Sequence, residues 1–271
     1  MPGSTFDQFR LFSTDAYGLE RLFRLVQAAV QIVLAIAISP PDSTPQLTNL
    51  LTGRELKRPL AELNSLLGLV RRFLRTFRFF DAFTDSYNVF LSMSAPAGSK
   101  QADSSQFLLK TLDGLAGTFN GLYLFLETLG LVDALGIPEL AILGPELERA
   151  LKIESQRCWF FALAAGALAC LVRLHQMQAL AAPSKTKFEK EGKEGEKRRA
   201  AEKEAQDSKI AGQRWRLKRK LVASLLDLAL PGSVVGWIPV SMGTVGWVTL
   251  VTSVMTGLDV WERCGNEIGR I

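Results

Sequence analysis

Leu66-Leu67-Gly68-Leu69-Val70-Arg71-Arg72-Phe73-Leu74-Arg75-Thr76-Phe77-Arg78-Phe79-Phe80 is the stretch whose reading decides the rest of the chain. Wound at about 100° per residue, it sorts into two faces. Leu66, Leu67, Leu69, Val70, Phe73, Leu74, Phe77 and Phe80 share one side, and Arg71, Arg72, Arg75 and Arg78 take the other. The polar face carries no acid before Asp81, whereas a solvated helix back usually mixes both signs. A broad apolar face under an all-arginine face fits a helix lying in a membrane interface. Arginines near an anionic leaflet contribute about 1 kcal/mol each. Large apolar side chains contribute up to about 1.5–3 kcal/mol each when fully buried. On this division the apolar face anchors the helix, and the arginines select anionic lipid by forking onto phosphate oxygens. Asp81 falls on the apolar side, so insertion is expected to end near Phe80.

The remaining composition bounds the class. With 271 residues, 48% hydrophobic and 22% charged, the chain lies close to soluble averages and is no many-span transporter. A net charge of +5 admits either nucleic acid or an anionic membrane as partner. Cys158, Cys170 and Cys264 show neither paired spacing nor a metal-ligand pattern, which predicts inert buried thiols rather than a disulfide-built secreted fold. The sole histidine, His175, has no cysteine or carboxylate at ligand spacing. No nucleophile elbow, Walker loop or dinucleotide fingerprint occurs, so no enzyme, cofactor or metal is expected.

Taken in order, the chain predicts an all-α, membrane-associated helical bundle with amphipathic helices and one or two hydrophobic membrane segments. Residues 1–91 form an N-terminal amphipathic region. In it a capping box at Ser4 precedes Phe6, Phe9 and Phe12, and a second start signal at Thr14-Asp15 opens a longer helix. That helix carries Leu19, Leu22, Phe23, Val26, Val30 and Val33 on one side, and Glu20, Arg21, Arg24, Gln27 and Gln31 on the other. A loop at Pro40 to Thr48 follows. One helix is then expected from about Pro59 to about Phe90, and another loop from Ser92 to Gln106. Residues 104–182 read as helical and include the uncharged run 158–172, bracketed by Arg157 and Arg173. At 15 residues it is short of the roughly 17–25 a span requires, leaving a thin span or a buried or re-entrant helix open.

Residues 183–213 form a charged linker, a solvated helix or a disordered tether. From Lys185 to Lys220 there are 14 basic against 7 acidic residues. It ends in a basic cluster at Arg214, Trp215, Arg216, Lys218, Arg219 and Lys220. Such a cluster can bind nucleic-acid backbones, but an apolar segment follows almost at once, and juxtamembrane lipid binding fits better. Val234 to Leu258, 25 residues without charge, is the full-length span candidate, with Gly236, Gly243 and Gly246 offering small surfaces for helix contact and Pro239 expected to kink or shorten it. Residues 214–271 thus read as a basic juxtamembrane cluster with a C-terminal membrane anchor.

Four stretches together resemble the peroxin-11 family, membrane proteins of peroxisome proliferation and division. Gly18-Leu19-Glu20-Arg21-Leu22-Phe23-Arg24-Leu25-Val26-Gln27 is similar to its N-terminal signature, with glycine, acid, base, arginine and glutamine in register. Arg71 to Arg78 resembles its basic amphipathic segment. Tyr123 to Asp133 falls where the family has an apolar helix with an aromatic start. Asp227 and Pro231 are similar to its C-terminal Asp-x-x-x-Pro. The resemblance covers most of the chain except the charged linker, whose length suggests a divergent, fungal-type branch. It implies a peroxisomal membrane protein that elongates the organelle through its amphipathic helix and promotes fission. A small-solute pore and a scaffold for fission machinery are the alternative readings. Implied partners are anionic phospholipid, further copies of the chain, a fission adaptor with a dynamin-related GTPase, and a membrane-protein import receptor, with no nucleic acid.

Overall fold

In the computed structural model, many large apolar side chains face outward, while several charged and small polar ones, Glu20, Arg24, Asp227, Thr252 and Ser253 among them, are buried beside a small apolar core. The model describes residues 5–38, 54–94, 104–180 and 193–268. The expected cap at Ser4, the loop at 40–48, residues 95–103 of the second loop and residues 183–192 of the linker lie outside the described residues. Among the described residues there is no strand, and the all-α expectation holds.

The helices are α1 (Thr5–Thr14), α2 (Ala16–Ile38), α3 (Arg54–Arg75), α4 (Arg78–Ser94), α5 (Ser104–Leu129), α6 (Gly144–Leu180), α7 (Lys193–Asp227), α8 (Ala229–Val235) and α9 (Met242–Ile268). Asp15 starts α2 as the sequence predicts: its Oδ1 accepts the backbone N–H groups of Tyr17 at 2.7 Å and Gly18 at 3.1 Å. Asp133 does related work ahead of α6, its Oδ1 accepting from the N–H groups of Ile142 and Leu143 at 3.0 and 2.9 Å. The charged linker is helical from Lys193 onward, as the first part of α7.

Small residues set the helix crossings. α9 runs antiparallel to α2, with Gly246 against Ile32 and Gly243 against Ala35; a Cβ on Gly246 would come within 2.9 Å of the Ile32 side chain. α4 runs antiparallel to α5 in the same manner, with Gly117 beneath Ser86 and Gly121 beneath Phe83. Ala28, Ala169, Cys170, Thr252 and Ser253 are buried, whereas Leu66, Leu168 and Trp247 are each more than half exposed. In lipid, burying apolar surface does not drive helices together. Small residues and internal hydrogen bonds hold them, and large apolar side chains face the acyl chains. The three cysteines are free, with Cys170 and Cys264 buried and Cys158 half-buried.

Two expected helices are corrected. The single helix from Pro59 to Phe90 is broken at Thr76-Phe77, between α3 and α4. No proline or glycine marks the break. The Thr128 hydroxyl on α5 lies 3.0 Å from the carbonyl oxygen of Thr76, so a tertiary contact satisfies a group that a continuous helix would pair internally. The 25-residue span candidate at 234–258 is also interrupted. Gly236 takes the left-handed conformation at φ 86°, and the chain stays non-helical to Ser241 past Pro239. Among the described residues, the helix long and apolar enough to cross a membrane is instead Gly144–Gln178, built around the 158–172 run. Flanking residues on both sides extend that run, and only 22% of its most apolar window is buried in the protein. Its bracketing bases are both paired, Arg157 with Glu154 one turn away at 2.6 Å and Arg173 with Asp113 on α5 at 2.5 Å.

Candidate functional site: a charged cavity inside the bundle

The inward stripe of α3 consists of Leu60, Asn64, Leu67, Arg71 and Arg75. Its apolar half packs on the C-terminal half of α2, where Leu67 joins Val30 and Leu34 in a buried cluster. Its basic half meets the polar side of α2. Arg71 donates to Glu20 Oε1 from Nε at 3.0 Å and Nη2 at 2.9 Å, and to Gln27 Oε1 at 2.6 Å. Gln27 in turn donates to the Asn64 carbonyl at 3.1 Å. Arg75 reaches α5, donating from Nη2 to both oxygens of Glu127 at 2.8 and 2.9 Å, with its Nη1 3.6 Å from Glu20. Tyr123 donates to Glu127 at 3.3 Å from the same helix.

A cavity of about 550 Å³ opens beside this network. Beyond it, Arg24 on α2 donates to Asp227 on α7 at 2.5 Å and to Thr252 on α9 at 3.1 Å. Arg78, at the start of α4, lies 3.8 Å above the Tyr17 ring and donates to the Ala16 carbonyl at 2.8 Å. Asp81 and Asp85 line the rim from α4 and are exposed, as is Lys220 on α7.

These groups titrate as their surroundings require. Burial pushes the Glu20 carboxyl up, but Arg21, Arg71 and Arg75 outweigh it and hold the carboxyl at about 2. Burial lowers Arg71 to about 10 against the opposing pull of Glu20. Tyr123 rises to about 12, chiefly through burial. At about 10, the Arg71 guanidinium still stays charged at neutral pH.

The structure therefore turns part of the lipid-facing stretch around. Arg71 and Arg75 point into the protein, with side chains only 14% and 15% exposed. Arg72 is 3.7 Å from Glu127, and Arg78 covers Tyr17. Leu67 packs inward and Leu74 is half-buried. Leu66, Val70, Phe73, Phe77 and Phe80 form the outward stripe, with Phe77 75% exposed. Phe79, outside that stripe, packs on Phe125 of α5, ring centroids 5.5 Å apart.

The basic cluster divides similarly. Arg219 pairs with Asp259 and, at 2.8 Å, with Glu262; Arg216 lies 2.9 Å from Glu262; Arg214 donates to the Met177 carbonyl at 3.1 Å. Trp215, Lys218 and Lys220 are exposed. Of the three glycines singled out, Gly243 and Gly246 lie in the α2 crossing, and Gly236 ends α8.

Sequence reasoning missed the acids. Glu20, Glu127 and Asp227 lie on three different helices, and the first two share four arginines between them, Arg21, Arg71, Arg72 and Arg75. The spacing of Glu20, Arg24, Gln27 and Gln31 already put polar groups on one side of α2. Their presence on a helix with an equally apolar opposite side was the available signal that the polar side faces inward. The four family-like stretches, as far apart in sequence as Glu20 and Asp227, supply most of the cavity's charged groups. Gly18 belongs with them, since any Cβ there would collide with the Phe12 carbonyl.

A helical bundle with a buried arginine–carboxylate network, many large apolar side chains on its outside and, among the described residues, one helix long and apolar enough to cross a bilayer has the character of a membrane protein. The model of the family Peroxisomal biogenesis factor 11 (PEX11) matches residues 6–261, and the chain belongs to that family. It is a peroxisomal membrane protein involved in peroxisome proliferation. No curated protein and no solved structure matches the chain.

Proposed function

We propose that this chain remodels and elongates the peroxisomal membrane through the outward stripe of α3 and the first turn of α4, promoting peroxisome proliferation and fission without catalysing a reaction. The observation that carries this reading is the exposure of Leu66, Val70 and Phe73 on α3, Phe77 in the break after it and Phe80 at the start of α4, with α3 tied down on its other side. A rigidly held apolar ridge displaces acyl chains in one leaflet, and a charged lock behind it keeps the ridge oriented. Arg71 and Arg75 then act as the lock, and contact with anionic phospholipid falls to the exposed bases, Lys218 and Lys220 among them. Self-association, a fission adaptor with its dynamin-related GTPase, and an import receptor reading the basic-apolar helices complete the proposed partners.

The test is reconstitution of the full-length protein into liposomes. Replacing Phe73 and Phe77 by Gln is expected to abolish tubulation while leaving the protein helical and inserted. Unchanged tubulation overturns the wedge. A second reading, a small-solute pore, is favoured by the charged cavity within the bundle. Solute leakage from the same liposomes that survives the Phe73 and Phe77 replacements supports it.

A further inference from the structure

On the side of α2, α3 and α4, guanidinium groups outnumber the carboxylates within 4.0 Å of them; Asp81, Asp85 and Asp259 also line the cavity but, among the described residues, make no ion pair with Arg21 or Arg78. Arg21, Arg71, Arg72 and Arg75 share the two carboxylates of Glu20 and Glu127, and Arg78 has none within 4.0 Å among the described residues. Arg71 and Arg75 use most of what those carboxylates offer. Arg21 retains one contact among the described residues, 3.5 Å from its Nε to Glu20, and its terminal nitrogens make no hydrogen bond there. Arg78 is held by an aromatic ring and a backbone carbonyl, both uncharged. Behind them, the Nε atoms of Arg24 and Arg75 are buried without a hydrogen-bond partner, on side chains that are themselves more than nine-tenths buried for Arg24 and nearly so for Arg75. Across the cavity the balance is one to one, with Arg24 on Asp227. Asp81 and Asp85 are exposed at the rim, and Asp259, which also lines the cavity, is paired with Arg219.

Uncompensated guanidinium groups inside a membrane bundle are costly. A missing anion is the simplest group that would offset them. Arginine's fork matches tetrahedral oxyanions, which accept several donors at once. The cavity, at about 550 Å³, has room for a phosphate or pyrophosphate group and part of what carries it.

We propose that this cavity is a binding site for a phosphate-class oxyanion, held chiefly by Arg21 and Arg78. The anion belongs either to a free phosphorylated solute or to a phospholipid headgroup entering from the leaflet. The assignment rests on the unmet hydrogen-bonding capacity of Arg21, Arg78 and the buried Nε atoms of Arg24 and Arg75, and requires neither the wedge nor the pore.

The test uses the purified full-length protein in neutral detergent, titrated calorimetrically with pyrophosphate. Saturable binding is expected. Arg21→Gln and Arg78→Gln should each weaken it about tenfold or more, the equivalent of one charged hydrogen bond. Asp81→Asn, which removes a repelling charge at an exposed rim position, should tighten it, and carries the test should either arginine variant fail to fold. Nanodiscs of phosphatidylcholine with and without phosphatidic acid separate the sources. If phosphatidic acid abolishes pyrophosphate binding and raises the thermal midpoint of the wild type but not of the arginine variants, the headgroup is the ligand. If pyrophosphate binds equally in both, the ligand is a free solute. Absence of pyrophosphate binding together with absence of stabilisation by phosphatidic acid overturns the proposal. Binding that none of the three substitutions alters overturns it as well.

Discussion

Two clusters of arginine and carboxylate hold this bundle, and they differ in almost everything but their chemistry. One joins α2, α3 and α5 through Glu20, Arg71, Arg75 and Glu127, with every member's side chain at most 15% exposed. The other joins α7 to α9 through Arg216, Arg219, Asp259 and Glu262; Arg219 is buried, but both acids are a third exposed or more. In the first cluster removing one partner strands the rest in a medium that cannot solvate them. In the second, water takes the vacated place. The same pairing is a structural lock in one region and a surface contact in the other.

The largest effect is therefore expected at Glu20. Glu20→Gln leaves Arg21, Arg71 and Arg75 without their shared acid and should cost about 3–5 kcal/mol, the usual penalty for breaking a buried pair. Thermal unfolding of the detergent-solubilised protein checks this, and a loss below 1 kcal/mol would show that the lock is not formed. Acid titration reaches the same group more gently. The Glu20 carboxyl sits at about 2 against an ordinary 4.5, so its contribution is fully present above pH 4.5 and is lost as the pH falls toward 2. The difference amounts to about 3 kcal/mol. Glu20→Gln should remove that part of the acid sensitivity, which a pH series of melting curves on both proteins measures.

Steric tests fall next. Gly246→Leu drives a side chain into Ile32 and its backbone, and should cost about 1–3 kcal/mol as overpacking. The same change at Gly166, which has nothing within 4 Å, should be nearly silent in the same melting assay. The smallest effect is expected in the exposed cluster. Glu262→Gln should cost at most about 1 kcal/mol and should matter less as salt rises, whereas the Glu20 effect should persist in salt. Equal salt dependence at the two sites would erase the distinction between them.

How much of this was legible in the sequence follows the same division. Helix positions came largely from apolar periodicity and caps such as Asp15, because those signals are local. The orientation of α3 did not. A helical wheel groups Arg71 and Arg75 together but does not say whether that side meets water, lipid or a buried acid. Only the fold brings Glu20 and Glu127 beside them, from 51 and 52 residues away. The break at Thr76-Phe77 was equally invisible, since its partner is a threonine on another helix. The shortening of the 234–258 segment at Pro239 was expected from the sequence and holds, whereas the left-handed turn at Gly236 was not foreseen. Conversely, the span built around 158–172 looked too short because only its uncharged core was counted, although the helix continues through the charged residues at both ends.

The most direct test of the inside-out arrangement is the environment of α3 in a bilayer. Nitroxide labels placed singly on a background lacking Cys158, Cys170 and Cys264 report contact with lipid through collisions with oxygen, and with water through collisions with a nickel chelate. Labels at Leu66, Phe73 and Phe77 are expected to be oxygen-accessible, while Leu60 and Leu67, on the inward stripe, are shielded from both reagents. High oxygen accessibility at Leu60 and Leu67 with shielded sites at Leu66, Phe73 and Phe77 would contradict the account.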